Sequence, residues 1–162
     1  FRSVEERWPN MRAIAQRVSS ASVSIEGKKE ASIGKGLLVL VGIHKKDTDN
    51  DVDWIARKIG QLRVFEDESG LMNQSLSAIS GEILLISQFT LIASVKKGNR
   101  PSFNDAADPK TAERLVQAVA NHLNPYVEGS VKTGVFGANM QVSLINDGPV
   151  TIMFDSHARM LT

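Results

Sequence analysis

The chain has 162 residues and no cysteine, and its 19 basic and 18 acidic residues leave a formal net charge of +1. That length can bury a core in one domain without disulfides or a structural metal, and the lack of thiols excludes disulfide scaffolds, thiolate zinc sites and cysteine nucleophiles. So small a charge supplies no global field for a long nucleic acid, so any nucleic-acid contact has to be local and DNA binding is not expected.

Residues 1–10, FRSVEERWPN, precede the first regular pattern at Met11 and are read as a vector remnant or upstream extension, with residues 11–162 as one domain. They contain no apolar signal-like run, and no stretch elsewhere approaches the ~20 residues of a membrane span. A cytoplasmic protein without membrane association is expected.

From Met11 the chain reads as strands. Ile14, Gln16 and Val18, then Ser22-Val23-Ser24-Ile25, alternate as half-buried strands do, and Glu26-Gly27-Lys28-Lys29 supplies a turn. GLLVLVGI (36–43) and EILLIS (82–87) are continuously apolar and short, which suits central strands covered on both faces. Between them, Asn50-Asp51 can cap a helix whose stripe is Val52, Ile55, Ile59 and Leu62, with Gly60 weakening its end. Glu66-Asp67-Glu68 before Ser69-Gly70 reads as a solvated turn. Asp108-Pro109 starts a second helix, with a capping carboxylate and proline at the first position; Ala112, Leu115, Val116, Val119 and Leu123 form its stripe, and Asn124-Pro125 stops it. Strands outnumber helices, so the class is α+β.

The search for chemistry returns mostly absences. His44, His122 and His157 have no metal-ligand spacing, and no phosphate loop, dinucleotide fingerprint or nucleophile elbow follows a strand, so no metal and no cofactor is expected. Four stretches remain. SQFTL (87–91) places hydroxyls, an amide and an aromatic where an apolar strand emerges, an arrangement suited to a small polar ligand and equally open to reading as a fraying strand end. Lys96-Lys97-Gly98-Asn99-Arg100 is a basic loop, or simply a solvated one. KTGVFGANMQV (132–142) resembles the basic, glycine-and-aromatic strand of an RNA-recognition domain until the order breaks after Ala138. In SLINDGPVTIMF (143–154), Met140, Val142 and Leu144 alternate before Gly148-Pro149 and Val150, Ile152 and Phe154 after it; Asn146-Asp147-Gly148 is ordinary turn chemistry.

Taken together, MRAIAQRV, GLLVLVGI, SQFTL, KKGNRPSF, VFGANMQVSLINDGPVT and FDS resemble the D-aminoacyl-tRNA deacylases over nearly all of residues 11–156. The resemblance implies compact, β-rich, barrel-like subunits with two main helices, dimerising through the sheet region, with the active pocket at the interface. It implies that Gly148-Pro149 carries a cis peptide and reaches into the partner's pocket as the chiral filter. The implied substrate is a D-amino acid, or glycine mischarged on tRNA-Ala, esterified to the tRNA 3′ end; the implied reaction is hydrolysis, with L-esters rejected.

Ester hydrolysis passes through an oxyanion, so fixed donors at the carbonyl oxygen are the main requirement, each contributing roughly 3 kcal/mol. The amides around Phe89 and Thr90 are the candidates, with Ser87 and Gln88 holding ribose or amino acid in register. Phe89, Phe136 and Met140 form an apolar slot for the terminal adenine, although Phe136 and Met140 suit core packing equally. Arg17 is to brace the Gly-Pro segment through its carbonyls, and Lys96, Lys97 and Arg100 are to meet acceptor-stem phosphates. Thr90 has no base beside it in sequence, so water activated with help from the tRNA 2′-hydroxyl is the favoured route. A less selective esterase using Thr90 as nucleophile and a non-catalytic RNA-end binding module stay open.

Overall fold

Unbroken apolar runs become the two central strands. β3 (Gly36–Gly42) and β6 (Glu82–Ser87) lie parallel, registered from Gly36↔Glu82 to Val41↔Ser87. In the computed structural model, which describes residues 11–157, both faces of this pair are covered. Residues 1–10, and with them the reading of that segment as an extension, lie outside the described residues. Leu37, Val39, Val41, Ile83 and Leu85 face one core and Leu38, Leu84 and Ile86 a second, which is why these strands carry no polar alternation.

β1 (Arg12–Ile25) is the spine. It pairs antiparallel with β3 from Arg12↔Gly42 to Val18↔Gly36, and with β2 (Lys28–Ile33) from Ala21↔Ile33 to Ile25↔Lys28. The buried face of its first half is not the Ile14–Gln16–Val18 face. Ala13, Ala15 and Arg17 are buried, whereas Ile14 and Gln16 are partly exposed and Val18 enters the second core. Two alanines and an arginine give a weak apolar signal, yet small residues are what helices packed closely on a sheet require.

The helices cover the larger core. α1 (Asp49–Gly60) is capped two residues earlier than Asn50-Asp51 suggested: Thr48 is its cap, with its hydroxyl accepting from Asn50 N and the Asp51 carboxylate accepting from Thr48 N at 2.9 Å. Val52, Ile55 and Ile59 are buried, while Leu62 lies past the helix and is only partly buried. α2 (Pro109–Leu123) is capped by Asp108, whose carboxylate accepts from Thr111 N at 3.1 Å, and buries Ala112, Leu115, Val119 and Leu123. A small hairpin of β4 (Phe65–Glu66) and β5 (Met72–Gln74) holds the acidic turn, where Asp67 accepts from Ser69 N and Leu71 N.

β7 (Lys132–Thr133) is a two-residue strand parallel to β6, so most of the 132–142 segment is loop rather than an RNA-recognition-type strand. The last strand, β8 (Gln141–Asp155), runs antiparallel to β1 at both ends, from Arg12↔Asp155 to Ser24↔Gln141, with an interruption between. The strand order is β2-β1-β3-β6-β7 with β8 also on β1, and the sheet curls until β2 approaches β6 and β7, forming a nearly closed barrel-like sheet.

The Gly148-Pro149 segment is not a hairpin turn. Both halves of β8 pair with β1 in the same direction, and between Val18↔Asn146 and Gln16↔Thr151 residues 147–150 form an outward excursion.

Candidate active site

β6 delivers its last residue, Ser87, to the edge of the barrel. Gln88 N then donates to Val41 O at 2.8 Å, tying the exit to β3, and the chain tightens into a 3-10 turn over Phe89–Ile92. Leu91 N donates to Gln88 O at 3.1 Å, and Arg12 Nη1 fixes the turn's end by donating to Leu91 O at 3.0 Å. The amides of Phe89 and Thr90 precede the first internal bond of the turn, so they are available to an external acceptor. Gln88 Nε2 donates to Thr90 Oγ1 at 2.7 Å.

Here lies a cleft of about 640 Å³. Ser87, Gln88, Phe89 and Thr90 form one wall and the 136–140 segment, with Phe136 and Met140, another; Ala106, Ala107 and the first turn of α2 close a third side. The structure thus brings Ser87, Gln88, Phe89 and Thr90 together with Phe136 and Met140, which also pack partly against the two cores. No histidine, lysine or carboxylate lies among the described residues lining the cleft.

The basic loop stands beside this cleft without lining it. Lys96, Lys97 and Arg100 are exposed on a loop closed by reciprocal bonds of 2.8 Å between Ser94 and Ser102. Phe103, the next residue, turns back to line the cleft and meets Phe89 edge-on, with ring centroids 5.0 Å apart and planes at 72°.

Gly148-Pro149 does not line the cleft of its own chain. Its peptide is cis and Gly148 has φ +138°. Arg17, buried despite its charge, sits beneath the excursion: Nε donates to Asp147 O at 2.9 Å and Nη1 to Val64 O at 2.7 Å, and the Asp147 carboxylate lies 3.8 Å from Nε. Asn146 closes the base, its side-chain oxygen accepting from Val150 N at 2.8 Å and its amide donating to Thr151 Oγ1 at 3.0 Å.

The third wall is anchored by the backbone on either side of His44, just beyond β3. Ala107 N donates to Ile43 O at 2.9 Å and Lys45 N to Asp105 O at 2.8 Å. His44 N donates to Asp47 Oδ2 at 2.7 Å, while its ring Nδ1 accepts from Lys46 N at 3.1 Å. Burial pushes its pKa below the ordinary histidine value, with Asp105 opposing and Lys45, Lys46 and Arg12 reinforcing.

Sequence reasoning missed Phe103 and Asn146. Phe103 carried a signal, a lone aromatic closing a basic, polar loop; Asn146 looked like ordinary turn chemistry.

The family model described as D-Tyr-tRNA(Tyr) deacylase matches residues 14–155. A protein of Opitutus terrae named D-aminoacyl-tRNA deacylase is 54% identical over 149 residues, covering 92% of this chain and 99% of that protein. A solved structure titled c-Myc DNA Unwinding Element Binding Protein superposes with a TM-score of 0.83 at 43% identity, over 88% of this chain and 97% of the other. Another, titled as a probable eukaryotic D-amino acid tRNA deacylase, has the same fold, with a TM-score of 0.76 at 18% identity over 90% and 99%.

Proposed function

The chain belongs to the D-Tyr-tRNA(Tyr) deacylase family, and on that premise we propose how its cleft hydrolyses the ester joining a D-amino acid to the 3′ end of tRNA. The observation that carries the reading is the meeting of Ser87–Thr90 with Phe136 and Met140 around one cleft that has no histidine, lysine or carboxylate among its described lining residues. The terminal adenosine enters between Phe89, Phe136 and Met140, and Ser87 and Gln88 hold the aminoacyl-ribose. The amides of Phe89 and Thr90 receive the carbonyl oxygen as it becomes an oxyanion, where each donor contributes about 3 kcal/mol.

The nucleophile is water, activated with the substrate's 2′-hydroxyl. Thr90 fits the covalent role poorly. Its oxygen already accepts from an amide, which cannot take up a proton, and an unactivated hydroxyl is a weak nucleophile.

Two copies complete the site. β8 exposes Val142, Leu144, Ile145 and Met153, and its outer edge has no strand partner among the described residues. Val142 also lines the cleft, so an interface along β8 adjoins the reaction centre. Across it the partner's Gly148-Pro149 segment presents backbone, without a Cβ at Gly148, to the substrate α-carbon. An L side chain collides with that wall, whereas D-amino acids and glycine place hydrogen there, so glycine mischarged on tRNA-Ala is also hydrolysed. Arg17 holds the wall in place, and Lys96, Lys97 and Arg100 contact acceptor-stem phosphates. These three cations on one loop fit a short single-stranded end and its stem better than a long DNA duplex.

Deacylation of D- and L-tyrosyl-tRNA tests the proposal. Loss of the D-ester alone supports it; loss of both identifies a less selective esterase, and binding without loss an RNA-end binding module.

A further inference from the structure

We propose that Phe103 is a stacking platform for the penultimate base of the tRNA 3′ end, so that the strand leaves the cleft over the Phe89–Phe103 pair and passes its backbone to the Lys96–Arg100 loop. The inference rests on the deacylase reading above.

Phe89 and Phe103 belong to neither hydrophobic core and are 56% and 36% exposed although they touch each other, so together they form an apolar surface facing solvent. Both line the cleft. An edge-to-face pair leaves ring surface open, and a base laid on it recovers the contact that water now takes. Position strengthens the case. Phe103 directly follows Ser102, whose two bonds to Ser94 close the loop bearing Lys96, Lys97 and Arg100, so the aromatic face and the cations are held on one short frame. Aromatic faces beside cations are what single-stranded nucleic acid needs. Stacking is tolerant of sequence, and all tRNAs carry the same single-stranded 3′ end, so no base-edge readout is required.

The test uses two inhibitors of D-tyrosyl-tRNA hydrolysis: 3′-amino-3′-deoxyadenosine acylated with D-tyrosine, and the same compound extended by a 5′ cytidylate. In the wild type the extension is expected to tighten inhibition about tenfold, in the range of one base–aromatic stack. In Phe103→Ala that gain is expected to fall to about twofold, and Phe103→Trp is expected to keep it. An extension bearing an abasic residue is expected to gain little in any variant, which separates stacking from phosphate attraction. Three results overturn the inference alone: no gain in the wild type, a gain undiminished in Phe103→Ala, or equal weakening of both inhibitors, which identifies Phe103 as a prop for Phe89. A wild type that hydrolyses no D-tyrosyl-tRNA overturns the deacylase reading as well.

Discussion

Arg17 Nε donates to the carbonyl oxygen of Asp147 at 2.9 Å, one residue before Gly148. The same guanidinium reaches Val64 O at 2.7 Å, so a single buried side chain ties the β8 excursion to the segment entering the β4–β5 hairpin. Arg17→Met strands two acceptors and is expected to cost about 2–4 kcal/mol. Arg17→Lys is expected to restore little, because an ammonium lacks the planar fork that serves two directions. Urea unfolding of both variants, with D-tyrosyl-tRNA turnover under folding conditions, measures the stability loss and any further loss of activity.

Gly148→Ala tests the wall itself. A Cβ there would stand 2.7 Å from Val150 Cγ2 and 3.0 Å from Val150 N, on a backbone at φ +138° that L side chains rarely adopt. The expected cost is about 1–3 kcal/mol of stability, with D-tyrosyl-tRNA hydrolysis abolished while the far-UV circular dichroism spectrum stays that of the wild type. Full activity in a folded Gly148→Ala protein would remove the excursion from the account of chirality.

Thr90→Ala removes the acceptor of the Gln88 amide. If Thr90 only positions, kcat/KM falls by less than about tenfold, the scale of one hydrogen bond, and quenched reactions show no acyl-enzyme by mass spectrometry. Complete inactivity with tRNA binding intact would favour the covalent route. Substrate ending in 2′-deoxyadenosine is expected to react far more slowly with the wild type.

Met153→Glu places a charge on the most exposed large apolar side chain among the described residues, 78% accessible, on the face assigned to the second copy. Light scattering is expected to show a dimer for the wild type and a monomer for the variant, with activity lost in the monomer. A wild-type monomer with full activity would end the two-copy description of the site.

His44 makes stability depend on pH. Its folded-state pKa lies below the usual value near 6.5 because burial disfavours the imidazolium. Its contribution is therefore fully present above the unfolded pKa and is lost as pH falls through 6.5 toward the folded value. Thermal midpoints measured from about pH 7.5 down to about pH 5.5, roughly one unit either side of the usual histidine value, are expected to decline in the wild type and to decline less in His44→Gln.

What the sequence shows clearly is what apolar pattern and end signals encode. β3 and β6 are read from unbroken apolar runs, and α2 from Asp108-Pro109 at one end and Asn124-Pro125 at the other. The inward face of β1 is hidden because Ala13, Ala15 and Arg17 carry little apolar signal, and burial of Arg17 depends on carbonyls 47 and 130 residues away. The Gly148-Pro149 segment misleads for a related reason. Asn146-Asp147-Gly148 has turn chemistry, and only pairing with β1 on both sides makes it an excursion from one strand. Ser87, Gln88, Phe89 and Thr90 stand out as a polar mouth to an apolar strand, whereas Phe103 is marked only as an aromatic closing a basic loop, and its place in the cleft depends on the Ser94–Ser102 closure.

The longest pairing in the sheet joins Arg12–Ile25 to Gln141–Asp155, and Met11 N donates to Ser156 Oγ across 145 residues. During synthesis, β1 emerges early and its β8-facing edge has to wait for nearly everything between. Meanwhile β2 and β3 can dock on its opposite edge, leaving an incomplete sheet with a long open flank. Closing so wide a chain loop slows folding, and an unpaired flank invites strand pairing between nascent chains. The completed barrel, and with it the position of Gly148-Pro149, forms only after residue 155 has cleared the ribosome, so premature termination within β8 yields an aggregation-prone chain rather than a weakened enzyme.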